Sequence, residues 1–150
     1  MTTTAWVSLF GALLSGLFAA LAYKLSRTNA FRTATIESQR MLLNINKAYL
    51  ADPKLLVIEG EYDASTVTDP EFPAKLKAMA YMKLNVFEVV FPVLPRGRGR
   101  DAWVAYFESS LTKCGLLAEE LENQRGIYHR DLIRAYDAWK AKVGSVGKRT

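Results

Sequence analysis

Glu88 stands in an otherwise apolar run, Val86-Phe87-Glu88-Val89-Val90-Phe91, with Asn85 one helical turn before it on the same face. A carboxylate in such surroundings loses hydration, which raises its proton affinity and makes it a candidate acid or base. Acid–base work needs a second group within reach, and the sequence names none. The reading adopted is structural: Asn85 and Glu88 form a buried polar pair that caps another helix end or meets an arginine.

The other reactive side chains are isolated. His129 is the only histidine and Cys114 the only cysteine. One of each, at unrelated positions, makes neither a zinc spacing nor an internal disulfide. Cys114 reads as a small half-buried thiol near a helix end, since a nucleophile wants a base beside it. Asp131, Glu119, Glu120 and Glu122 read as solvated helix faces. Ser109-Ser110 lacks a strand-to-helix elbow, and Gly97/Gly99 lacks the third glycine and the preceding strand of a phosphate loop. No catalytic residue, metal ligand or cofactor site is assigned. Arg96, Arg98 and Arg100 alternate with those glycines, which lets guanidinium groups converge on an anion such as lipid phosphate or an acidic partner. The competing reading is a solvated connector.

The elements that must position these residues begin with an apolar segment. Residues 1–23 carry no Lys, Arg, Asp, Glu or His, and Ala5–Tyr23 is long enough, at ~1.5 Å per residue, to approach the ~30 Å of a bilayer core. Trp6 and Tyr23 near its ends suit the interface. The basic residues Lys24, Arg27 and Arg32 follow it, so the expectation is one transmembrane anchor over residues 1–25, N-terminus outside and the remainder cytoplasmic. A cleaved signal peptide is the rival, disfavoured by the start without Lys or Arg. Small residues recur in two rows, Ser8, Ala12, Gly16, Ala20 and Gly11, Ser15, Ala19, the kind of face on which another membrane helix packs closely.

Beyond the anchor the expectation is an all-α domain, a small helical bundle over residues 26–143, then a frayed basic tail over 144–150. Phe31, Ser38, Leu42, Ile45 and Tyr49 follow helical spacing up to Asp52-Pro53. Whether this helix continues the anchor is open, and Leu55–Ile58 is too short to classify. Residues 60–68 read as a loop. Asp69-Pro70-Glu71 starts a helix that runs to about Leu94, bent or ended by Pro92; its apolar stretch from Val86 marks the centre of the core. Residues 95–100 read as a loop, with Asp101 capping a helix carrying Trp103, Val104, Phe107 and Leu111. Gly115 closes that helix, a short acidic helix covers 116–124, and a last helix covers 127–143.

The 150 residues carry a net charge of +5. This basic excess is assigned mainly to the segment after the anchor and to the tail, with nucleic acid the less favoured partner. Two stretches, Asn85-Val86-Phe87-Glu88 and Trp103-x-x-Tyr106-Phe107 followed by Tyr128 and an amphipathic helix, together with the apolar start, resemble uncharacterised bacterial membrane-anchored helical proteins of unknown function. The resemblance implies a helical fold and a bacterial inner membrane, and brings no activity. The expected role is a non-enzymatic interaction module or accessory subunit, with membrane lipid and a protein partner (homo- or hetero-oligomeric). The alternatives are a small membrane-bound enzyme using Glu88 and a binder of anionic lipid through the arginine loop.

Overall fold

The computed structural model describes residues 3–63, 65, 67–95 and 97–146, and their side chains from residue 12 onward apart from Arg98 and Val146. The described residues form five α-helices and a 3₁₀ helix and no strand: α1 (Thr3–Ala51), the 3₁₀ helix (Pro53–Glu59), α2 (Phe72–Val90), α3 (Arg98–Lys113), α4 (Gly115–Asn123) and α5 (Arg130–Val146). The all-α expectation holds.

The N-terminal segment and the stripe from Phe31 to Tyr49 are one continuous helix. No Pro or Gly interrupts α1 between Gly16 and Ala51, and Thr28 and Thr35 turn their hydroxyls back onto the carbonyls of Lys24 (3.0 Å) and Phe31 (2.8 Å) instead of capping a new start. Asp52 and Pro53 end it, as expected. The membrane assignment is corrected. Among the described residues no helix is long and apolar enough to cross a membrane. α1 runs without a break from the charge-free start through Lys24, Arg27 and Arg32 into the bundle, so its apolar start is one end of a long, mixed helix. The single-pass inner-membrane placement, with its N-outside orientation, falls with the span. Ser8 and Gly11 of the small-residue rows lie outside the described side chains.

α1 enters the bundle at its C-terminal half. Ala34, Ser38 and Ile45 are buried there against α2. The 3₁₀ helix is closed by Gly60 at φ 72°, a left-handed position that costs glycine little, with the Glu61 N–H returning to the Leu56 carbonyl at 3.1 Å. Phe87 is at the centre, its ring 4.9 Å from Phe107, 5.4 Å from Tyr106, 6.2 Å from Phe91 and 6.3 Å from Trp103. Leu111, Leu117, Leu121 and Leu132 close the core from α3, α4 and α5.

Four boundaries differ from expectation for identifiable reasons. α2 stops at Val90, before Pro92. α3 begins at Arg98, because Gly97 at φ 120° turns the chain there, so Asp101 falls in the first turn, where its charge favours the helix N-terminus. Gly115 opens α4 instead of closing α3: it lacks positive φ, and extended Cys114 makes the break. α5 starts at Arg130 and runs to Val146, so the expected tail is helical in its first residues; residues 147–150 lie outside the described residues.

Candidate interaction surfaces

Glu88 is half-buried and Asn85 is exposed, so the expected buried pair does not form. Both Glu88 carboxylate oxygens accept from the His129 backbone N–H, at 2.8 and 2.9 Å. The carboxylate on α2 thereby satisfies an orphan donor at the start of α5, where its charge also opposes the helix dipole. Glu88 caps a helix end, and its capping work explains why an acid sits in an apolar run.

A second polar cluster is more deeply buried. Lys83, 1% exposed, donates to both carboxylate oxygens of Glu59 at 2.7 Å, and the Tyr49 hydroxyl donates to Glu59 Oε1 at 2.7 Å. The Lys83 ammonium also lies 5.3 Å from the centroid of the Tyr106 ring. Burial pushes the Lys83 ammonium below its ordinary value. Burial works upward on Glu59, but the donations from Lys83 and Tyr49 outweigh it and hold the carboxyl below its ordinary value. Burial, helped by Glu59, pushes the Tyr106 phenol up to about 12. The cluster joins α1, the 3₁₀ helix, α2 and α3. Its sequence signal is spacing: Met79, Lys83 and Phe87 recur every fourth residue on the buried face of α2.

Glu120, also buried, accepts from Tyr81 (2.7 Å) and pairs with Lys77 (2.8 Å). Glu122 accepts from Tyr136 (2.9 Å) and Lys140 (3.0 Å). These two and Glu88 are each occupied by structural donors. No group of three or more His, Cys, Asp or Glu among the described residues could hold a metal ion. Cys114 is buried between α3 and α4.

Most of the exposed large apolar side chains among the described residues lie on α1. Ala12, Ser15, Gly16, Ala19 and Ala20 are all exposed, and a Cβ on Gly16 would meet nothing within 4 Å. Leu13, Leu17, Phe18 and Leu21 are each at least 63% exposed, so this end of α1 is an apolar arm without cover from the bundle. Leu14, Phe18, Leu21, Leu25, Ile36, Leu43 and Leu50 fall within about 60° of one another at ~3.6 residues per turn. They make one stripe of roughly 54 Å along the face opposite Ala34, Ser38 and Ile45. Leu50 is 84% and Leu43 57% exposed.

Where α1 passes the end of α2, a cleft of about 360 Å³ opens, lined by Tyr23, Lys24, Arg27, Phe31, Val93 and Pro95 among others. Pro95 is the first residue of the arginine segment. Arg96 lies outside the described residues, as does the Arg98 side chain, and Arg100 is half-buried in the first turn of α3. Of the arginine segment, Pro95 is the residue placed beside Lys24 and Arg27. No family model, curated protein or solved structure matches this chain. The resemblance drawn from Asn85–Glu88 and Trp103–Tyr128 therefore stands on those residues alone.

Proposed function

We propose that the protein is a non-enzymatic interaction module, an accessory subunit whose α1 docks along its outward stripe on an acidic, amphipathic helix of a different protein. The carrying observation is the exposed apolar stripe from Leu14 to Leu50 on a helix whose opposite face is already committed to the core. Large apolar side chains recurring along one exposed face, here in two runs on either side of Asn29 and Arg32, mark an interaction surface. Each that becomes fully buried contributes about 1.5–3 kcal/mol before the costs of association.

Charge selects the occupant. On or within about 40° of the stripe, α1 carries three exposed basic residues, Arg32, Arg40 and Lys47, and no acid. Pairing with a second copy would set this basic flank against its equivalent, a repulsion that disfavours the homodimer. An acidic partner helix turns the same charges into attraction and steering. Gln39 and Asn46, polar and exposed between the apolar positions Ile36, Leu43 and Leu50, supply the register control that such seams use.

The test places a photo-cross-linking residue at Leu43 or at Leu17 of the full chain in its native cells, with Glu119 on α4 as a control position. The expected result is the same heterologous protein captured from both α1 positions, absent from the control and bound in a salt-dependent way. Capture of a second copy of this chain, or of nothing, overturns the reading.

A further inference from the structure

We infer that the cleft between α1 and the end of α2 binds a single-chain amphiphile with an anionic head, a carboxylate or a phosphate. This site uses the inner face of α1 and is independent of the outward stripe. Its origin is a mismatch in length. α2 ends at Val90 and the chain leaves through Pro92 and Pro95, while α1 continues past it. The inner face of α1 from Phe31 back to Tyr23 therefore loses its cover, and Val93 and Pro95 form only one wall.

Three observations define the ligand. The walls are apolar, supplied by Tyr23, Phe31, Val93 and Pro95, so the body of the ligand is hydrocarbon. Lys24 and Arg27 line the same cleft one turn apart, and neither has an acidic partner among the described residues. Two uncompensated cations at this spacing converge on one anionic head. The volume of about 360 Å³ lies at the lower end of the ~300–1,000 Å³ typical of small-molecule sites, and suits one chain.

The experiment titrates the full chain with dodecanoate, dodecyl phosphate, dodecyltrimethylammonium and inorganic phosphate, each below its aggregation threshold, and separately with anionic phospholipid vesicles. Saturable one-to-one binding of a dodecyl anion is expected, with the cation of the same tail and inorganic phosphate each at least about tenfold weaker. Which of the two anions binds more tightly assigns the head. Replacing both cations, Lys24→Ala with Arg27→Ala, removes charge-assisted hydrogen bonds and is expected to weaken binding at least about tenfold. Thr28→Trp, at an exposed lining position, fills the cleft and is expected to do the same. Leu17→Ser with Phe18→Ser, on the arm, is expected to leave this binding intact whether or not α1 docks on a partner. Equal binding of the cationic amphiphile, unchanged binding by both cleft variants, loss only in the arm variant, or binding to vesicles without binding to the free amphiphile would each overturn the inference.

Discussion

Glu59 holds together three segments of chain by accepting from one cation and one phenol, and the cost of losing it follows from what would be left behind. Removing one partner of a buried pair strands the other, so Glu59→Ala is expected to lower stability by about 3–5 kcal/mol, towards the lower end because the Glu59 side chain is 19% exposed. The double variant Glu59→Gln with Lys83→Met, which strands no charge, should recover much of that loss in urea unfolding. The same carboxyl fixes an acid dependence. Its folded value lies below the unfolded value of about 4.3. Its contribution is therefore complete above about pH 4.3 and disappears as pH falls through the folded value. Unfolding midpoints followed from pH 6 to pH 2 should fall less steeply in Glu59→Gln than in the wild type; parallel curves would remove Glu59 from the acid response. Glu88 acts more locally. Losing its cap on the His129 N–H should cost about 0.5–2 kcal/mol, and hydrogen exchange should rise first at the start of α5.

At the scale of elements, the aromatic cluster and the glycine turns carry the bundle. Phe87 is fully buried among four other rings, so Phe87→Ala should cost about 3–5 kcal/mol by urea unfolding; a loss below about 1 kcal/mol would place the core elsewhere. The centre of the core was legible in the sequence because Val86 to Phe91 is a local signal, apolar at every position but Glu88. The all-helical content was legible for the same reason, through the stripes of α1, α3 and α5. What escaped were features that join distant segments. Lys83 and Glu59 are far apart in the chain; the spacing of Lys83 between Met79 and Phe87 hints at its burial, but nothing local names Glu59 as its partner until α2 is laid against the 3₁₀ helix. Glu88 announced itself as an anomaly, but its partner is a backbone N–H, which no side-chain pattern reveals. The start of α3 turned on the φ of Gly97, where the Arg-Gly alternation suggested only a loop.

For the whole molecule, the governing fact is that α1 has two apolar faces and the bundle covers one. The inner face is the amphipathic stripe that the sequence displays most plainly. The outer one, Ile36, Leu43 and Leu50 at seven-residue intervals, is interleaved with it and continues into the arm. The charge-free start suggested a membrane span, because composition alone does not distinguish lipid from a protein surface as the apolar surroundings such a helix requires. Two apolar faces predict that stability and association separate. Ile36→Gln with Leu43→Gln alters side chains 58% and 57% exposed, so the unfolding midpoint should move by no more than about 0.5 kcal/mol in stability. If both are buried by a partner, their loss should weaken that association by about 3–6 kcal/mol, a hundredfold or more. Raising ionic strength should weaken wild-type association further, since the exposed basic flank acts only within a Debye length of about 10 Å at 0.1 M. The measurements are urea unfolding of the variant and the yield of the cross-linked partner at low and high salt. A variant that unfolds about 2 kcal/mol more easily would show that the outer stripe packs within the bundle, and a variant that keeps its partner would remove the stripe from the interface.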